Sequence, residues 1–300
     1  MPTGQAVAES LGVPFVRAHL QPLDAPSFRY PGGLAPRMAA LGRAGTRLSH
    51  VVTDVMLGAL LAPPTRASRE ELGLSGRARL PHPSIIYGFS PRVVPVASDP
   101  QTRRVATGYW TSQEPGAQVD PQLRDFLERP GAVVSVGFGS MRTQEPATLR
   151  VVVEQAAADA GVRAVLLTGW GALTADASTS DRVFIAESVP HEWLFSRVAA
   201  TVHHGGAGTT GAALRAGVPT VVVPFGADQP FWASRAAALG VAPPTIPRRK
   251  LTAALLAQAI GSCLASQQMQ DRASSLGEDL RAEDGVGTAV RELESIAAGL

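Results

Sequence analysis

From Pro121 onward the chain alternates short apolar runs with segments of helical spacing, and no other feature constrains its fold so strongly. The apolar runs cover residues 132–136, 163–168, 183–186, 198–202 and 219–224; helical spacing is seen at 121–129, 146–160, 191–196, 209–216, 229–239 and from 251 to the end. Uninterrupted apolar strands separated by helices predict a parallel sheet covered on both faces. Ligands of such sheets bind beyond the carboxyl ends of the strands, so the chemistry is sought in the turns found there.

Three turns stand out: Gly137-Phe-Gly-Ser-Met141, His203-His-Gly-Gly-Ala-Gly-Thr-Thr210 and Phe225-Gly-Ala-Asp-Gln229. In the second, glycines and an alanine leave almost no side chain between strand and helix, so backbone amides can approach an anion closely. Thr209 and Thr210 add hydroxyl donors, and His203 or His204 can give a phosphate oxygen a hydrogen bond or a positive charge. The pattern points to a diphosphate site at His203, His204, Gly205, Gly206, Ala207, Gly208 and Thr209, held without a metal. A rival reading is the dinucleotide fingerprint, since Gly206 to Gly211 is a formal GxGxxG match with Asp228 about 20 residues further on. Against it, the match is not in the first βα unit, and Asp228 follows Pro224-Phe-Gly-Ala instead of closing a strand. Asp228 and Gln229 place a carboxylate beside an amide, a pair suited to neighbouring sugar hydroxyls; a helix N-cap is the alternative role for Asp228.

The N-terminal third is less sharply patterned. It reads as a helix at 4–11, a strand at 14–18, a Pro- and Gly-rich loop at 21–37, one or two helices over 38–61, and strands at 84–87 and 92–96. A polar stretch at 111–120 has the composition of a linker. The expected organisation is therefore a domain at 1–110, a linker at 111–120, a domain at 121–285, and a C-terminal helix at 286–300 packing back on the first domain. Hydrophobic residues make up 45% of the 300, enough for two cores, and a net charge of +2 without a basic cluster does not call for nucleic acid. Cys263 is the lone cysteine, so neither a disulfide framework nor a cysteine metal site can form. The start Met1-Pro-Thr-Gly-Gln-Ala lacks the basic and apolar regions of a signal peptide, and no apolar run reaches the ~18 residues of a membrane helix. A soluble, cytoplasmic protein without stable membrane insertion is expected.

The segments VFIAESVPHEWLF (183–195) and VHHGGAGTTGAALRAGVPTVVVPFGADQPFWASR (202–235) resemble the donor domain of nucleotide-sugar-dependent glycosyltransferases of the GT-B fold. Within them the chain is most similar to the sterol and antibiotic glucosyltransferase group. The resemblance runs from about Thr107 to Pro243; residues 1–106 match mainly at Ala6 to Pro14 and Leu20 to Pro22. It implies a Rossmann-like parallel-sheet donor domain behind a partial acceptor domain, shortened at its N-terminus. It further implies that His203 and the amides of Gly205 to Thr209 hold the diphosphate, with His204 as a second participant, and that Asp228 and Gln229 bind the donor sugar. Ser140 would lie near the nucleotide, Val189 would offer backbone groups to the base, and Trp170 would line the nucleotide pocket. Ser188 stands where some relatives stack an aromatic residue on the base.

The implied activity is an inverting transfer of a hexose from a nucleotide sugar, UDP-glucose by family default, to a hydroxyl of a lipophilic or natural-product acceptor, as in antibiotic biosynthesis. No cofactor is expected beyond the co-substrate, a UDP-sugar or dTDP-sugar. In the family the general base comes from the first βα units of the acceptor domain, which have no counterpart here. Among His19, Asp24, His50 and His82 none is assigned that role. Two alternatives remain: a donor-binding fragment or subunit that works with a separate acceptor domain, and a sugar-nucleotide epimerase, which would need a second carboxylate beside Asp228.

Overall fold

A computed structural model describes residues 2–24, 26, 27, 29–33, 35–75, 84–97, 102–111, 119–139, 146–168 and 180–298. The chain divides into two compact units, Met1–Thr111 with Glu283–Leu300, and Ser112–Ala282.

The first unit runs α1 (Pro2–Leu11), β1 (Val16–His19), a 3-10 turn (Pro36–Leu41), α2 (Gly42–Glu71), β2 (Ser84–Tyr87) and β3 (Arg104–Ala106). Its strands form a parallel sheet in the order β1-β2-β3. The central strand is the most apolar, with Ile85, Ile86 and Tyr87 buried, and the Tyr87 hydroxyl donates to the Leu23 carbonyl at 2.8 Å. The strand expected at 92–96 is instead a turn. The amides of Val93 and Val94 both donate to the Ser90 carbonyl, at 3.1 and 3.0 Å, which buries the two valines without strand pairing. α2 continues through Pro63 and Pro64. The carbonyls those prolines leave without an amide donor belong to Ala59 and Leu60, both exposed, so water can satisfy them.

Two of the histidines weighed as a base are built into this unit. The His19 ring, 4% exposed, meets an Asp24 carboxylate oxygen at 3.2 Å through Nε2, and Arg17 reaches the same oxygen at 3.1 Å. The His19 bond holds the Asp24 carboxyl below the usual carboxylate range. His50 Nε2 lies 2.9 Å from the Tyr30 carbonyl, and burial lowers its pKa. His82 falls outside the described residues.

The second unit opens with α3 (Pro121–Glu128), whose N-cap Asp120 accepts from the Gln122 amide at 2.8 Å. It continues with β4 (Val133–Gly137), α4 (Pro146–Asp159), β5 (Arg163–Leu167), β6 (Val183–Ala186), α5 (His191–Phe195), β7 (Ala200–His203), α6 (Ala207–Ala216), β8 (Thr220–Val222), α7 (Gln229–Ala238), α8 (Ala253–Ala265) and α9 (Gln267–Arg281). Among the described residues five strands pair in parallel, in the order β6-β5-β4-β7-β8. Alternate strand residues feed two cores. Val134, Val136, Leu166 and Val202 pack with Val153, Leu256 and Ile260 on one face, while Val133, Val165 and Phe184 pack with Leu123, Phe126, Leu194 and Phe195 on the other. Each such side chain contributes roughly 1.5–3 kcal/mol when fully buried, so the sheet is a rigid platform for its loops.

The strand order reverses between β4 and β7. The chain proceeds outward from β4 through β5 to β6, then returns to lay β7 on the opposite side of β4. Loops leaving the two strands diverge there, which opens a crevice at the carboxyl edge of the sheet. The last helix, α10 (Gly285–Ala298), belongs to the first unit. Glu283 accepts from Ser90 Oγ at 2.6 Å, and Glu292 pairs with Arg103 at 2.6 Å. Gly285 approaches the Tyr109 carbonyl so closely that a Cβ would sit 2.3 Å from it.

Candidate functional site at the sheet switch point

A cavity of about 440 Å³ occupies the crevice. Gly137 at the end of β4 and Gly139 just after that strand line it, as do His203 at the end of β7, Thr209 in the first turn of α6 and the segment Glu187, Ser188, Val189 and His191 after β6. The turn after β6 obeys the same strand-end rule that singled out the other three, yet of its residues only Val189 and Ser188 were drawn in, through the resemblance. Nothing in the spacing of Glu187, or of His191 at the start of α5, marks them in the sequence.

The β7–α6 connection is built from the inside outward. His203 ends β7 and is 1% exposed. Its Nδ1 accepts from the Gly205 amide at 3.0 Å, so the proton sits on Nε2, which donates to Thr220 Oγ1 at 2.7 Å. Thr201 Oγ1 donates to the same oxygen at 2.9 Å. Burial drives the His203 pKa down to about 3, so the ring is neutral at physiological pH. Two expectations are thereby corrected: the His203 ring is committed on both nitrogens and cannot contact a diphosphate, and the Gly205 amide is spent on His203. What His203 does is hold the turn. Gly205 has φ +90°, and a Cβ there would meet Val222 Cγ1 at 2.7 Å and the Gln229 carbonyl oxygen at 3.1 Å, so only glycine fits.

Beyond this brace, Gly206 is the N-cap of α6 and supplies no side-chain cap. The first closing bond of the helix runs from the Thr210 amide to the Gly206 carbonyl at 2.9 Å. Ahead of it the amides of Ala207, Gly208 and Thr209 have no acceptor within the helix, and the helix dipole adds partial positive charge there. His204 lies beside this end. A Cβ on Gly206 would be 2.5 Å from His204 Nε2, and one on Gly139 would be 3.0 Å from His204 Cε1, so the ring bridges the two loops of the switch point. Its Nδ1 is buried and has no hydrogen-bond partner among the described residues. Burial lowers the His204 pKa, and the nearby Asp228 carboxylate works against that shift. On α5, His191 stacks on Phe195 at 4.7 Å and 13°, and burial followed by repulsion from His204 lowers its pKa.

Asp228 occupies the N-cap position of α7 but makes no side-chain cap bond; its Oδ2 accepts from Trp232 Nε1 at 3.0 Å. The preceding residue, Ala227, has φ +53°, a conformation unfavourable for alanine that the loop enforces. Gln229 has its side-chain oxygen turned to its own loop. It is 5% exposed, and its Oε1 accepts from the amides of Phe225 and Gly226 at 2.7 and 3.1 Å, so that oxygen shapes the loop and is not offered to a sugar. Val189 lines the cavity while its side chain packs in the core. Ser140 and Trp170 fall outside the described residues. Among the described residues no three His, Cys, Asp or Glu side chains gather as a metal site, and no helix is long and apolar enough to cross a membrane.

Comparison with solved structures gives the class first. The chain superposes on the glycosyltransferase of kitacinnamycin with a TM-score of 0.68 at 20% identity, covering 98% of this chain and 73% of that one. It matches the glycosyltransferase VinC, solved in complex with dTDP, with a TM-score of 0.67 at 20% identity, covering 100% and 70%. The fold is that of GT-B glycosyltransferases. Sequence narrows the assignment. Residues 149–296 match the family described as erythromycin biosynthesis protein CIII-like, C-terminal domain. The sterol 3-beta-glucosyltransferase of Emericella nidulans is 36% identical over 97% of this chain, and that of Aspergillus fumigatus 35% over the same share. In sequence the chain is similar to UDP-glycosyltransferases of the group that contains sterol and antibiotic glycosyltransferases. It spans about a fifth of the length of these curated relatives, 22% in both cases.

Proposed function

We infer that the switch-point crevice binds a nucleotide sugar and that the chain acts in transferring a hexose to a hydroxyl of a lipophilic or natural-product acceptor. The observation that carries this reading is the uncapped N-terminus of α6, which opens beside a cavity of nucleotide size at the strand-order reversal. The diphosphate lies on the amides of Ala207, Gly208 and Thr209, with the Thr209 hydroxyl as a further donor. The nucleoside extends along Glu187 to Val189, and the donor is UDP-glucose or a dTDP-sugar. Asp228, steadied by Trp232, keeps acceptor capacity for a hydroxyl of the hexose.

The residues support an inverting displacement. As the acceptor hydroxyl attacks the anomeric carbon, negative charge builds on the departing diphosphate, where preorganised amides help without reorganising. A helix terminus is worth about 0.3–1 kcal/mol to an exposed anion and up to ~2 kcal/mol when partly buried. His204 stands at the same end of α6 and adds to that stabilisation when charged. No residue is assigned as the general base.

Titration calorimetry with UDP, dTDP and UDP-glucose tests the reading. Binding in the micromolar to millimolar range is expected. Asp228→Ala should weaken UDP-glucose by about tenfold, the value of one hydrogen bond to a charged group, while leaving UDP nearly unchanged. Absence of heat with all three ligands would overturn donor binding, and equal losses for UDP and UDP-glucose would remove Asp228 from the sugar site.

A further inference from the structure

The two adjacent histidines of the β7–α6 turn have opposite surroundings, and the difference predicts a coupling that donor binding alone does not require. His203 is closed on both nitrogens. His204 bridges Gly139 and Gly206 at the open end of α6, with a buried Nδ1 unpartnered among the described residues and the Asp228 carboxylate close by. Without a ligand, burial disfavours the charged form of its ring. A diphosphate on the first amides of α6 would add negative charge beside it, on top of that of Asp228.

We propose that His204 takes up a proton when the diphosphate of a nucleotide sugar binds, so that the donor is held by an imidazolium formed on binding, while His203 and His191 stay neutral. The proposal rests on the donor-site reading above. The described groups that couple to His204 fit it. Asp228 before α7 favours the charged ring, His191 on α5 is disfavoured from charging by His204, and His203 is sealed in the core. Among the described residues of the loop after β4 and of the first turn of α6, none is titratable. The proton comes from solvent and returns to it when the nucleotide leaves, so the charge opposing release vanishes once the diphosphate has gone.

The sign follows from linkage. The complex holds more protons than the free protein, so affinity falls as pH rises through the titration of bound His204, by up to about tenfold per pH unit, and levels off below the pKa of the free ring. UDP-glucose is the proper probe, because its diphosphate has no proton to gain or lose near neutrality, whereas UDP has one. Calorimetry of UDP-glucose near pH 7, repeated in buffers of different ionisation enthalpy, reads the proton count directly. The wild-type protein should take up a substantial fraction of one proton. His204→Asn should take up almost none and show a flat pH profile, and His191→Gln, whatever its affinity, should take up the same fraction of a proton as the wild type. UDP-glucose binding without proton uptake, uptake undiminished in His204→Asn, or uptake lost in His191→Gln would each overturn the proposal while leaving the donor site standing. No UDP-glucose binding at all would overturn both.

Discussion

Gly205 and Gly206 are neighbours in the same turn, yet a single methyl group should affect them in opposite ways. Gly205→Ala places alanine at φ +90°, where a left-handed backbone costs roughly 1–2 kcal/mol. Its Cβ would also lie 2.7 Å from Val222 Cγ1 and 3.1 Å from the Gln229 carbonyl oxygen, in a packed region where overfilling adds about 1–3 kcal/mol. The sum, about 2–5 kcal/mol, lowers the melting temperature by roughly 4–20 °C for a unit of this size. Gly206 has φ −63°, which alanine adopts freely, and the three atoms nearest its added Cβ all belong to the His204 ring. That ring can swing away, so Gly206→Ala should cost no more than about 0.5–1 kcal/mol, mostly because alanine is the poorer N-cap. Donor binding should weaken instead, since the displaced ring and the new methyl crowd the first amides of α6. Thermal melts followed by circular dichroism, paired with UDP calorimetry, separate the two effects. If Gly205→Ala melts with the wild type, or Gly206→Ala is the less stable of the two, the account of this turn is wrong.

Two further outcomes concern the buried brace. Thr220→Val removes the oxygen that receives both His203 Nε2–H and the Thr201 hydroxyl, so denaturant titration should show a loss of about 1–3 kcal/mol for each orphaned donor. Because His203 is held near pKa 3 when folded against an ordinary 6.5, its stabilisation is complete above pH 6.5 and is lost as pH falls toward 3, by up to about 5 kcal/mol. Acid unfolding curves should therefore be shallower in His203→Asn than in the wild type between those limits, and superposable curves would refute the burial argument.

The sheet of the second unit was legible because its strands are buried on both faces and its turns carry glycine, so apolar runs and breaks coincide with element ends. The same burial hid the roles of the paired histidines. All four residues of β7 are buried, so two-residue alternation does not say which imidazole faces the crevice. The orientation of Gln229 is hidden for a related reason. An amide beside a carboxylate suits a sugar equally well whether it points outward or folds back onto Phe225 and Gly226, and only the closed loop decides. In the first unit β3 escaped notice at three residues, too short to show a period, while the valines at 93 and 94 imitated a strand because they are core residues held in a turn.

The placement of α10 bears on how this protein can be cut. Ser112–Ala282 is one continuous stretch interrupting a unit whose two pieces lie at opposite ends of the polypeptide. Deleting everything after Ala282 would therefore spare the part it directly follows and injure the distant one, stripping Ser90 and Arg103 of their carboxylate partners. Excision of the second unit is a matter of two cuts, and a graft of the remainder must rejoin Thr111 to Glu283.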